Sequence, residues 1–264
     1  MHDELTGDEV VTERFDGVAT IRINRPSARN ALNVAVMAGI GRSMLEADAD
    51  PDIRAVVLTG TGDRAFCAGM DLRAFSEGQM QPDADQVAGM EAFATFIGGN
   101  CATPVVGAAN ATAVAGGFEL LLACDLIVAA EDASFGIPEV KRGLFAAGGG
   151  IFLARRIPLA IALELGLTGD LVDAPRAAAL GLVNRVVPAT RVMDTALDFA
   201  RQIAGNGPLG VQATRTLMRA AAAQPDDEVL RMQAELRSGV FDSEDAREGA
   251  TAFVEKRTPI WKGR

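Results

Sequence analysis

The sequence predicts an α/β core followed by a C-terminal helical region, and two observations carry that expectation. Over about the first 200 residues, short apolar runs of strand length alternate with stretches of helical spacing, joined by glycine-rich or small-residue turns. Beyond Pro188 the strand-like runs stop and only helical spacing remains. A chain of 264 residues accommodates one large core, alone or with a small appendage. The expected division is a core over residues 1–205 and a helical region over 206–264.

The elements follow in order. Residues 18–24 (VATIRIN) alternate, with Ala19, Ile21 and Ile23 on one face, and Arg25-Pro26 ends the run, so the sheet is expected to start there. From Ala31 to Ala47 the residues Leu32, Val36, Ile40 and Met44 recur every four positions, an amphipathic helix. Residues 53–59 (IRAVVLT) read as a buried strand, and 104–109 and 125–130 as the next ones. Helices are expected over 191–204, 208–223, 226–239 and 243–256, with breaks at 205–207 and at Gln224-Pro225. Pattern alone does not order the strands.

Composition narrows the function. The chain is 49% hydrophobic and 23% charged with a net charge of −10, a globular composition whose field repels nucleic acid. A small polyanion can still bind through a few local basic side chains and backbone N–H groups. Cys67, Cys101 and Cys124 are odd in number and lack metal-ligand spacing, which suits reduced, buried thiols in a cytoplasmic protein. The acidic first ten residues do not resemble a secretory leader, and the uncharged stretch from Ile97 to Phe118 is interrupted by Asn, Thr, Pro and Gly, so no membrane span is expected.

His2 is the only histidine, so hydrolase mechanisms built on a histidine base have no candidate, and the acidic residues lack metal-site spacing. The carboxylates are left as acids and bases. Three segments read as a strand entering a small-residue turn that opens a helix: 66–71 (FCAGMD), 115–119 (AGGFE) and 148–150 (GGG). Such turns expose N–H groups, and two aimed at one oxygen make an oxyanion hole; equally, the glycines serve tight strand-to-helix packing. Glu119 stands in a helix start followed by three leucines, and Glu139 follows Pro138. Helix-dipole complementation and a solvated loop charge are their plainer readings. Asp71, Asp125 and Asp132 read as cap or turn residues, as do the charges of Lys141-Arg142.

These segments, in order and spacing, resemble the crotonase (enoyl-CoA hydratase/isomerase) superfamily across essentially the whole chain: Asn24-Arg25-Pro26, Asn30-Ala31-Leu32, FCAGMDL (66–72), AGGFELLLACD (115–125), FGIPEV (135–140) and FVEKR (253–257). The resemblance implies a ββα spiral core with a helical C-terminal oligomerisation region. It implies an oxyanion hole from the N–H groups of Met70 and Gly116, and a hydratase's glutamate pair at Glu119 and Glu139. It further implies an acyl-CoA substrate contacted by Arg29, Ala68, Phe253 and Lys256, the last two reaching a neighbouring subunit in a homotrimer or dimer of trimers, with no metal and no cofactor beyond the CoA moiety. An isomerase and a non-catalytic acyl-CoA-binding protein are the rival readings. Four positions depart from the family pattern: Ala111, Ala115, Ala146 and Ala147, the last two where a glycine N–H helps hold the catalytic water. Residues 73–100, with Met80, Met90, Phe93 and Phe96, are expected to line or cover the acyl pocket or simply to fill the core.

Overall fold

The computed structural model of the chain describes residues 8–264. His2, on which the exclusion of histidine chemistry turns, lies outside the described residues, as does most of the acidic N-terminal stretch.

The sheet begins one strand earlier than expected. β1 (Val10–Phe15) pairs antiparallel with β2 (Val18–Ile23), Phe15 opposite Val18. The two residues between them, Asp16 and Gly17, have φ of 51° and 76°. Two successive positive φ values match the right-handed twist of a tight hairpin, and Asp-Gly supplies them. With β1 on one side and β3 (Ala55–Gly60) on the other, β2 is buried along almost its whole length instead of on one face. α1 starts at Val34, three residues later than expected, and runs to Ala49. Leu32 is held in a bridge with Met70, and Asn33 caps the helix by accepting the N–H of Val36 at 2.8 Å.

Each following turn of chain lays one strand on a large sheet and the next on a small one. After β3 come α2 (Leu72–Ser76) and α3 (Val87–Ile97), then β4 (Val105–Ala109) on the large sheet and β5 (Ala113–Val114) on the small one. α4 (Gly116–Ala123) leads to β6 (Leu126–Ala130), again on the large sheet, and β7 (Ser134–Gly136) on the small. α5 (Leu159–Thr168), β8 (Val172–Asp173), α6 (Ala174–Ala179) and β9 (Arg185–Val187) complete the core. The large sheet has the order β1-β2-β3-β4-β6-β9, parallel from β2 onward, and the small one β5-β7-β8. This is the ββα spiral. α7 (Val192–Ala204) packs across β2, β3, β4 and β6, and its buried Val192, Ala196, Ala200 and Ala204, four apart, let it lie close to the strands.

α8 (Pro208–Ala221), α9 (Asp226–Phe241) and α10 (Glu244–Glu255) form the helical tail. The uncharged stretch 97–118 divides among the end of α3, β4, β5 and the start of α4, and no helix among the described residues is long and apolar enough to cross a membrane. All three cysteines are buried, and burial pushes the Cys67 thiol up to about 12 against the opposing hydrogen bond from Gly69.

Candidate active site

Only the second of the three small-residue segments has the expected strand, turn and helix form, in β5 and α4. Residues 66–71 form no strand: single bridges hold Cys67 beside Ala113 and Met70 beside Leu32. Gly69, at φ 85°, turns the chain out of register between them. The third segment opens a 3₁₀ helix (Gly150–Arg155) that loop precedes.

The first segment is clamped from beneath. Fully buried Asn30 donates to the carbonyls of Thr61 and Ala65 at 3.0 and 2.8 Å and accepts the N–H of Arg25. Arg25 bonds Asp71 at 3.1 Å, and Asp71 caps α2 by accepting the N–H groups of Arg73 and Ala74. Burial opposes its charge, yet these bonds hold Asp71 below the usual carboxylate range. No role was assigned to Asn30 from sequence, although its motif was visible. The N–H of Ala68 donates to the carbonyl of Arg29, which places these two residues together beside Met70.

The first two segments meet at Gly116. A methyl built on it would stand 3.6 Å from the Cα of Gly69 and 3.7 Å from the N of Met70. Among the described residues, neither the Met70 N–H nor the Gly116 N–H has an acceptor in the chain. Two neighbouring unpaired donors, one of them at the first position of a helix, are free to bond an anionic oxygen.

Glu119 lies one turn further along α4, 6% exposed, on the same side as Gly116. Its Oε1 accepts two N–H groups from the third segment, Gly148 at 2.9 Å and Gly150 at 2.8 Å. Among the described residues its Oε2 has no protein donor. Burial raises the Glu119 pKa and the nearby Glu139 charge adds to the rise, while the two amides oppose it. Glu139, in the 3₁₀ turn Pro138–Arg142, is half-buried, and its Oε2 is buried without a partner. Burial raises its pKa also. Glu119 does stand in the first turn of α4, as the helix-dipole reading has it, but its side chain is also tied to another loop, and Glu139 is more than a solvated loop charge because its Oε2 is buried.

Ala146 packs its methyl against Gly150, and Ile97 reaches Gly149; Ile97 was not singled out from sequence. Of the four residues expected around an acyl pocket, Phe96 is fully buried core and Phe93 packs against that core. Phe253 and Lys256 are exposed at the end of α10, where no hydrogen bond or ion pair among the described residues joins them to the other site residues. Asp125 proves more than a turn residue, since it binds Arg215 and Arg219 of α8 at 2.8 Å each. A cavity of about 1350 Å³ between the core and the tail is lined by Asp125, Phe152, Arg156, Arg215 and Trp261 and contains neither glutamate. The unpaired amides and carboxyl oxygens lie outside this cavity.

The enoyl-CoA hydratase/isomerase family model matches residues 13–264. Carnitinyl-CoA dehydratase of Salmonella enteritidis PT4 is 41% identical over 255 residues, covering 94% of this chain and 95% of its own length, and the enzyme of that name from Proteus mirabilis matches equally. Enoyl-CoA hydratase from Mycobacterium tuberculosis H37Rv superposes with a TM-score of 0.89 at 44% identity, over 98% of this chain and 100% of its own. Carnitinyl-CoA hydratase from Mycobacterium avium gives 0.76 at 43% identity over the same shares, 98% and 100%.

Proposed function

Since the chain belongs to the enoyl-CoA hydratase/isomerase family, we propose that it is an enoyl-CoA hydratase, adding water across the α,β double bond of an acyl-CoA thioester or removing it in reverse. One observation carries this reading. Glu119 is fixed through one oxygen by Gly148 and Gly150 and accepts no bond through the other, and it lies within reach of the charge of Glu139, whose Oε2 is itself unpartnered. An isomerase needs one carboxylate to carry a proton; two, each with an unsatisfied oxygen, suit a water and an α-carbon.

The chemistry follows from the charges. Attack of water on the β-carbon sends an electron pair toward the thioester oxygen, where the Met70 and Gly116 N–H groups receive the growing charge, each worth about 3 kcal/mol. Ionised Glu119 takes the proton of the attacking water through Oε2. Glu139, whose pKa burial raises, returns a proton to the α-carbon when it carries one. Negative charge on Glu139 opposes negative charge on Glu119, which disfavours the doubly ionised pair. Dehydration runs the same steps backward, and the relatives named carnitinyl-CoA dehydratase favour that direction on a hydroxylated thioester.

Arg29 and Ala68, together beside Met70, would receive the CoA moiety, and Phe253 and Lys256 that of a neighbouring subunit. Phe253 and Val254 are 86% and 78% exposed, and α5 leaves Leu159, Leu163 and Leu167 exposed at a spacing of four. Apolar surface in two separate places suits a closed ring of copies, so a trimer is expected. Light scattering at micromolar concentration checks it; a monomer rejects it.

Turnover of enoyl-CoA thioesters of varied chain length in ¹⁸O-labelled water tests the activity. Label in the 3-hydroxyacyl product is expected. Double-bond migration without label would establish the isomerase instead, and tight CoA binding without turnover a non-catalytic protein.

A further inference from the structure

Ala115 has φ 52° and ψ −131°, a backbone conformation that belongs to glycine. Of the four alanine departures, it is the one that carries positive φ. Its surroundings hold it there. Its N–H donates to the carbonyl of Gly136 at 2.9 Å, three residues before Glu139. Its carbonyl accepts the N–H groups of Phe118 and Glu119 at 2.9 and 3.0 Å. Its methyl points at the first segment: a methyl built on Gly69 would stand 2.6 Å from it. One strained residue therefore contacts the segment bearing Glu139, the backbone of Glu119 and the residue before Met70, and it directly precedes Gly116.

We propose that Ala115 is a positioning residue whose methyl, wedged against Gly69, spaces the Met70 and Gly116 N–H groups for the thioester oxygen. Glycine at this position would relax the backbone but leave the gap between the two segments unfilled, so the donors would lose their fixed separation. The methyl touches neither substrate nor water; it acts through the two amides. Local strain is kept where the surrounding bonds over-determine it and where the resulting geometry is used. This inference rests on the hydratase reading, because it requires a thioester oxygen between the two amides.

The test compares the unaltered chain with Ala115→Gly and Ala115→Ser, the latter keeping the Cβ. Butyryl-CoA labelled with ¹³C at its carbonyl is the probe, and the carbonyl stretch in difference infrared spectra reads the pull of the two donors. The unaltered chain should lower the stretch on binding. Ala115→Gly should lose much of that lowering and about tenfold in kcat, with KM nearly unchanged and a melting temperature no lower than before. Ala115→Ser should restore both the shift and the rate. A merely structural methyl would give a lower melting temperature with an unaltered carbonyl shift, which overturns the proposal, as does unchanged kcat in Ala115→Gly or a serine variant that behaves as glycine does. If the unaltered chain neither polarises the probe nor turns over any enoyl-CoA, the hydratase reading falls and this proposal with it. A polarised carbonyl that is indifferent to Ala115 removes this proposal alone.

Discussion

The two ends of α4, a helix of eight residues, are built on opposite principles. At its C-terminal end every polar group is satisfied. The carbonyl of Leu122 accepts from Arg156 at 3.2 Å, that of Ala123 from Arg219 at 2.8 Å, and that of Cys124 again from Arg156. Asp125 then gathers Arg215, Arg219 and the N–H of Val105. At the N-terminal end the Gly116 N–H is unpaired, Ala115 is strained, and Glu119 is buried with one oxygen open. An unsatisfied buried group costs roughly 1–3 kcal/mol, a cost that the proposed thioester and water would offset. One helix thus separates stability from chemistry along its own length.

The sharpest way to break this contrast is at the glutamates. Glu119→Gln and Glu139→Gln should each reduce hydration by roughly 10² to 10⁴-fold. If both act in one transition state, as proposed, the double variant should be little worse than the poorer single one. Steady-state rates of the three variants check this, and losses that multiply would contradict it. Stability should not fall in Glu119→Gln, since the amide oxygen can accept both glycine N–H groups as Oε1 does.

At the other end the effect should reverse. Asp125→Ala strands Arg215, whose side chain is only 10% exposed, and removes a partner of Arg219. Breaking a buried pair this way costs about 3–5 kcal/mol, to be read from urea unfolding. The kcat of the folded fraction should change little, and a loss of rate without a loss of stability would refute the division.

How far the sequence disclosed these two ends differs as well. Glu119 could be found because a carboxylate in an apolar helix start is conspicuous, whereas its tie to Gly148 and Gly150, 29 and 31 positions away, has no local signature. The bonds from Arg215 and Arg219 to Asp125 cross 90 and 94 positions and were invisible for the same reason. In the fold, β3, β4 and β6 were legible because parallel strands covered on both faces read as apolar runs, and β2 because its residues alternate. β5 and β8 have two residues each and β7 three, too short for any period to appear. β1 was missed despite a signal, the Asp16-Gly17 turn, because its outer half is exposed and charged residues interrupt its alternation.

A substitution away from both ends serves as a control. Lys256→Ala should weaken CoA thioester binding by roughly tenfold in KM, about one charge-assisted hydrogen bond, while kcat and stability stay the same. A change in kcat would place Lys256 in the chemistry and not in binding.

The smallest effect lies in the pH dependence of stability, where the open end of α4 should leave its own mark. Burial, with the Glu139 charge, raises the folded-state pKa of Glu119 above the ordinary value of 4.5. Between the unfolded and folded values the folded chain binds more protons, so stability must fall as pH rises through that window and stay lower above it. Glu119→Gln has no such group. Its melting temperature should therefore exceed that of the unaltered chain above the folded pKa, and the difference should shrink as pH falls through the window toward the unfolded value. Glu139 shapes where the window lies, since its negative charge is one cause of the rise. In a Glu139→Gln background the upper edge of the Glu119 window should move to lower pH, so the gain from adding Glu119→Gln should level off earlier on the way up from acid and be smaller. Calorimetric melting of the four chains, from about pH 4 to about pH 8, measures both shifts. A gain independent of pH would mean that the glutamine repairs packing and not charge. An unmoved window would mean that Glu139 does not press on Glu119 through its charge.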